Sequence, residues 1–189
     1  MSDKRFNPNH LHKLDSPERE KLLPKGKILH GLDVQSSDDI LDLGSGTGYF
    51  TIPLAEKTEK KVYALDVANE MLNYLKDRYT DAGITNIELV EGAIEHVPLE
   101  KNCVDKVMAS MVLHEIEPLE AGLNEIYRLL RKGGRALVVE WVKKEASDGP
   151  PKHHRLDADL LMDNIKEAGF HNVNMTYSSE DIYVVSFDK

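Results

Sequence analysis

Two apolar runs, each ending at an acid, constrain this chain more than any other feature. Ile40-Leu41-Asp42-Leu43 enters the turn Gly44-Ser45-Gly46-Thr47-Gly48, and the run from Val62 to Leu65 closes on Asp66. Three glycines at alternate positions let a ligand approach bare backbone. An acid closing the next strand can accept hydrogen bonds from both hydroxyls of a ribose. This order predicts a doubly wound α/β sheet with a nucleoside pocket at its strand ends. The spacing narrows the ligand further. A dinucleotide fingerprint wants a small sixth residue, so that helix and strand pack closely beneath a pyrophosphate. Tyr49 stands there instead. A nucleoside without phosphates is therefore expected, and an NAD-type oxidoreductase is disfavoured.

The alternation continues along the chain. Residues 39–43 read as strand one, 47–57 as a helix with Pro53 in its first turn or two, and 61–66 as strand two. Residues 69–82 carry Met71, Leu72 and Leu75 as a helical stripe, stopped by Gly83. Residues 87–91 and 104–109 are strands three and four, and 118–130 form an amphipathic helix. Gly133-Gly134 then turns into strand five, 136–140. The stretch 143–155, with Gly149-Pro150-Pro151, is a loop long enough to need a purpose. A helix at 156–168 precedes two strands, 172–177 and 182–187, joined as a hairpin. Right-handed crossovers make the first five strands parallel, with the order reversing beside strand one. Ahead of strand one, Ser16-Pro17 starts a short helix, Pro24 interrupts it, and Ile28, Leu29 and Leu32 share one face of the next. We read 1–189 as one domain: a helical lid (1–35), a ligand-binding core (36–140), and a substrate loop, helix and hairpin (141–189).

Composition excludes several function classes. A formal net charge of −9 and scattered lysines and arginines argue against nucleic acid as a partner. Cys103 is the only cysteine, so no internal disulfide forms, and a structural zinc or a thiol-bound arsenic substrate is disfavoured. MSDKRFNPNH has no apolar leader core, and no apolar run approaches ~18 residues. A cytoplasmic protein without stable membrane insertion is expected. His10 with His12, and His153-His154 beside Arg155, lack matched carboxylate spacing, so no metal is expected.

Four further segments extend the pattern of the glycines. They are Glu91-Gly92-Ala93-Ile94-Glu95-His96-Val97-Pro98-Leu99, Asp105-Lys106-Val107-Met108-Ala109-Ser110, Leu113-His114-Glu115-Ile116, and Glu125-Ile126-Tyr127-Arg128-Leu129-Leu130-Arg131-Lys132-Gly133-Gly134. With these, the chain resembles the class I S-adenosylmethionine (SAM)-dependent methyltransferases. It is similar to their small ubiquinone/menaquinone-biosynthesis (methyltransferase type 11) group. The resemblance implies a Rossmann-like sandwich with strand order 3-2-1-4-5-7-6, SAM as cofactor, S-adenosylhomocysteine (SAH) as product and a small-molecule methyl acceptor. It also implies roles. Gly44, Ser45, Gly46, Thr47 and Gly48 would present backbone to the methionine carboxylate, and Asp42 would meet the ammonium directly or through water. Asp66 would clamp the ribose with Val67 beside it, and Met71 would flank the adenine or pack in the core. Gly92, Ala93 and Ile94 would border the adenine, and Ser110 and Met111 would lie near the sulfur. One departure stands out: the sequence reads Gly92-Ala93 where the family usually has Gly-Asp. The contact to the adenine amino group then falls to Glu95, to backbone or to water.

His114 and Glu115 form the one compact acid/base pair near the expected mouth. A histidine can take a proton from oxygen, nitrogen or an activated carbon. The other reading has His114 packed against the methionine or capping the next helix. Displacement at a sulfonium has a good leaving group, so a protein base is optional. The N-terminal segment and the 143–155 loop are expected to wall the acceptor pocket, with Phe6, His10, His12, Trp141 and His153 as candidates. A SAM-binding sensor or regulatory partner subunit is the alternative to an enzyme. The acceptor and the oligomeric state, a homodimer included, stay open at this point.

Overall fold

In the computed structural model, which describes residues 17–189, the strands are β1 (Ile40–Leu43), β2 (Val62–Asp66), β3 (Ile87–Glu91), β4 (Val104–Ser110), β5 (Leu130–Trp141), β6 (His171–Ser178) and β7 (Ile182–Asp188). They form one sheet in the expected order, β3-β2-β1-β4-β5-β7-β6. The first five are parallel, and β7 runs antiparallel to both β5 and β6. The helices are α1 (Pro17–Leu22), α2 (Lys25–His30), α3 (Thr51–Ala55), α4 (Asn69–Asp81), α5 (Leu119–Leu129) and α6 (Ala158–Glu167).

Successive strand residues face opposite sides of the sheet, and the core divides accordingly. Leu41, Leu43, Val107, Ala109, Ala136 and Val138 pack with Leu123, Ile126 and Leu129 of α5 and Leu161 and Ile165 of α6. Ile40, Met108, Leu137 and Val139 pack with Leu29 of α2, Leu54 of α3 and Leu75 of α4. Because both faces are covered, the central strands are near-continuous apolar runs. The register sets Leu43 beside Leu65 and Ala109, and Ser110 beside Val139. The carboxyl ends of β1, β2, β4 and β5 therefore finish on one edge. The crossovers diverge at β1, which opens a crevice there.

Local expectations need correction in three places. The helix expected from residue 47 begins at Thr51, because the turn runs longer: Gly44, Gly46 and Gly48 have φ of 68°, 51° and 87°. Pro53 then lies in the first turn of α3, where a missing N–H breaks no bond. Strand five begins at Leu130, which pairs with Val104 before the register shifts to Lys106 and Arg135. Gly133-Gly134 is thus an irregularity inside β5, with Gly133 at φ 79°, and not its entrance. The helix expected from residue 156 starts at Ala158, because the Asp157 side chain caps it by accepting from the backbone N–H of Asp159 and Leu160. The expected Ser16 cap lies outside the described residues.

Candidate active site

The strand ends, α1 and residues 144–155 enclose an open cleft of about 1290 Å3. Single-ligand pockets are on the order of 300–1,000 Å3, so this one has room for a nucleoside and a second molecule. Gly44, Ser45, Gly46 and Thr47 line it beside Asp66, Val67 and Met71. Gly92 and Ile94 follow β3, Ser110 ends β4, and Met111, His114 and Glu115 come after it. Gly44 sits at φ 68°, and a Cβ there would meet Val112 Cγ2 at 2.7 Å. Only glycine lets the turn close over the valine.

Three residues expected to bind the cofactor do not line the cleft: Asp42, Gly48 and Ala93. Asp42 is buried at the end of β1 and accepts a 2.6 Å hydrogen bond from Thr51 Oγ1. Burial pushes its carboxyl up to about 7; the Thr51 bond opposes this and the charge of Asp66 adds to it. Asp66 is fixed between turn and strand, with Oδ2 accepting from Gly46 N and Oδ1 from Ala68 N, both at 2.9 Å. Burial raises its pKa, against the pull of those backbone N–H groups.

His114 takes a different partner from the one its sequence neighbour suggested. Glu140, fully buried near the end of β5, brings Oε2 to 2.8 Å from His114 Nδ1. Its Oε1 accepts from the His114 backbone N–H at 3.1 Å. A carboxylate at Nδ1 holds the proton there and leaves Nε2 as the acceptor. Burial pulls the imidazole pKa down, but the charge and hydrogen bond of Glu140 outweigh it, and the net shift is upward. Glu115 lines the cleft beside it, and its charge adds a smaller upward push on the imidazole. Glu140 carries no motif. Its one signal is an acid ending the apolar run Leu137-Val138-Val139, and its meeting with His114 depends on strand register.

Two further side chains shape the cleft without having been marked for it. The Tyr49 hydroxyl lies 2.7 Å from the Leu23 carbonyl and 2.8 Å from a Glu20 carboxylate oxygen, and its proton serves both. It ties the glycine turn to α1, whose Arg19, Lys21 and Leu22 line the cleft. Arg155 is 2% exposed. Its guanidinium donates to the carbonyls of Pro150 (2.8 Å), Val142 (3.0 Å) and Asp148 (2.5 Å) and lies 5.2 Å from the Trp141 ring centre. Gly149, at φ 79°, rests on the same indole, which a Cβ would approach to 2.9 Å. The 143–155 loop is thereby folded over Trp141. Trp141 and His154 line the cleft and His153 does not. Phe6, His10 and His12 lie outside the described residues.

The cleft fits an adenosyl ligand by its unpaired groups. Ser45 Oγ, Ser110 Oγ and Glu95 Oε2 are buried with no hydrogen-bond partner among the described residues, and all three residues line the cleft. Buried polar atoms are normally paired. SAM brings an ammonium, a carboxylate, ribose hydroxyls and an adenine amino group, which are groups of the kind these atoms lack.

A sheet of this order, with a nucleoside cleft where β1 and β2 end, is a Rossmann-like methyltransferase fold. Residues 41–138, more than half of the chain, match the family model described as a methyltransferase domain, and the chain belongs to that family. It is a SAM-dependent methyltransferase domain. A solved SAM-dependent methyltransferase from Aquifex aeolicus superposes with a TM-score of 0.88 at 26% identity, covering 97% of this chain and 98% of that one. The ubiquinone/menaquinone biosynthesis C-methyltransferase of Vibrio cholerae is 34% identical over 55% of this chain and 41% of its own length. The demethylmenaquinone methyltransferase of Chlorobaculum tepidum is 30% identical over 70% of this chain and 52% of its own. The chain thus spans about half or less of the length of these curated relatives.

Proposed function

We propose that the chain methylates a small, largely apolar acceptor with an acidic proton, and that His114 removes that proton. The observation that carries this is the 2.8 Å contact between His114 Nδ1 and buried Glu140, at the wall of the cleft. When bound, SAM supplies an electrophilic methyl group and leaves as SAH. Glu140 keeps the proton on Nδ1 and steadies the imidazolium that forms, so Nε2 is free to accept. In this reading Gly44, Ser45, Gly46 and Thr47 hold the methionine end and Asp66 the ribose. Val67, Met71, Gly92 and Ile94 flank the base, and Ser110 and Met111 lie near the sulfur. Asp42 acts from beneath the turn, while Gly48 and Ala93 shape the backbone beside the ligand. Glu115 contributes charge at the mouth and no proton transfer.

The acceptor side is walled by Leu22, Ile116, Trp141, Pro150 and Pro151. These walls suit a flat, apolar ring, and the names of the two relatives refer to quinone biosynthesis. A hydroxylated aromatic ring is therefore the acceptor class we favour. We place the reaction in the cytoplasm, in keeping with a single cysteine and with the lack, among the described residues, of any helix long and apolar enough to cross a membrane. The test is SAH formation by the purified chain with SAM and a panel of hydroxylated aromatic compounds, reduced naphthoquinol first. SAH that appears only with acceptor is the expected result. Tight SAM binding with no turnover, even in whole metabolite extract, would replace the enzyme with a sensor or regulatory partner subunit.

A further inference from the structure

Arg155 breaks a rule that three other arginines obey. Arg128 pairs with Glu125, Arg131 with Asp39 and Asp105, and Arg135 with Asp188, although the side chains of all three are 34–40% exposed. Arg155 is buried, yet its hydrogen bonds go to the carbonyls of Pro150, Val142 and Asp148, and no carboxylate pairs with it among the described residues. A buried charge is costly unless an opposite charge accompanies it. The acids nearby do not fill this place. Asp148 offers only its backbone oxygen. Lys144 holds Asp181 at 2.9 Å, and Lys152 lies 3.6 Å from Glu145.

Arg155 and Trp141 both line the cleft, on the side given above to the acceptor. The guanidinium lies 5.2 Å from the indole centre and keeps N–H groups beyond those its three carbonyl partners use. Away from water a charge is felt over a longer distance. Burial and, to a smaller extent, the Arg155 charge hold the His114 imidazole toward its neutral form, against Glu140 and Glu115. The charge of Arg155 thus reaches the place where a proton is to be moved.

We infer that the acceptor side of the cleft is a site for an anion, with Arg155 as its counter-ion and Trp141 as the surface it lies on; this deepens, and rests on, the reading of the cleft as a place of methyl transfer. The acceptor is then an aromatic ring that is negative when bound. Its charge comes from a ring carboxylate, or from a hydroxyl whose oxygen keeps the electron pair as its proton passes to His114 Nε2. Such a ring gains an attraction that a neutral ring lacks. With a formal net charge of −9 the chain has no general attraction for anions, so a preference for one must come from a local cation.

Calorimetric titration of the SAH-loaded chain at neutral pH tests the site without turnover. The probes are 2-naphthol, which is neutral, 2-naphthoate, negative through its carboxylate, and 2,4-dinitro-1-naphthol, negative through its hydroxyl. The wild type is expected to bind at least one anion tenfold or more tightly than 2-naphthol, and the favoured anion identifies the source of the charge. Arg155→Met should bring that ratio below threefold, whereas Arg155→Lys should keep it at fivefold or above. A loosened loop alone would weaken the three probes together and leave the ratio unmoved. Arg155→Gln carries the same expectation and serves if Arg155→Met does not give a cooperative melt. A wild type that binds 2-naphthol as tightly as both anions, or that binds none of the probes, overturns the site, as does a folded Arg155→Met that keeps the tenfold ratio. In each of these cases SAH is bound, so the SAM reading stands. A chain that does not take up SAH overturns that reading and the site with it.

Discussion

The two halves of the cleft are held together by different means. At the ends of β1 and β2, backbone is held by backbone and by one strand-end acid: Gly44 closes over Val112, and Asp66 grips Gly46 and Ala68. Over β4 and β5, distant side chains hold the walls. Glu140 orients His114, and Arg155 gathers the loop over Trp141. The first half is encoded by two short runs, each recognisable by itself, which neighbouring strands bring together. The second exists only once the sheet has set its register. A pocket built this way keeps a constant seat for one ligand while the wall facing the other is free to differ.

If the halves are separate, mutations should divide cleanly between them. The largest effect is expected for His114→Ala, with turnover down at least ~100-fold, in the range for loss of a general base, and SAH affinity within twofold. An equal loss of affinity would merge the halves. Asp66→Ala should weaken SAH at least tenfold, read by calorimetry, with hydrogen exchange of the 143–155 loop unchanged. Near-normal binding would remove its ribose role. Arg155→Ala should do the reverse, raising amide exchange across residues 142–150 about tenfold and shifting Trp141 emission to the red, with SAH affinity within threefold. Arg155→Lys should restore only part of the protection, since a point charge cannot fork to three carbonyls.

The smallest effect concerns pH. Asp42 titrates at about 7 when folded, against 3.8 for an ordinary aspartate. Between those values the folded chain holds a proton that the unfolded chain has released, so ligand-free stability falls as pH rises through this window and levels off above it. Asp66 is shifted in the same direction. Asp42→Asn should flatten part of this slope, bringing the melting temperatures at pH 5 and pH 8 a few degrees closer together.

The same division decided what could be read from sequence. The parallel alternation, the glycine turn and the acid at Asp66 were legible because each is local, or follows from crossover handedness, whereas the full strand order came only with the family resemblance. The start of α3 was placed too early, since periodicity does not reveal three successive positive-φ glycines extending a turn. His114 was visible as a candidate base. Its partner was not, because Glu140 lies 26 residues away, and no spacing rule links the ends of neighbouring strands. Tyr49 was noticed only for what it obstructs, and its grip on α1 depends on where a separate helix packs. Arg155 sat in a stretch that reads as irregular loop, and its burial against Trp141 has no periodic signature.

Arg155 fastens to main-chain oxygens and to no side chain of residues 143–154. Every amino acid carries such an oxygen, so Glu145, Ala146, Ser147 and Asp148 can be exchanged without loosening the fastening. Gly149 and the two prolines after it keep the path of the chain. Residues 145–148 thus form a short replaceable panel on a fixed frame, where new acceptor preferences can arise by drift, or be selected from a four-position library, at little risk to the fold.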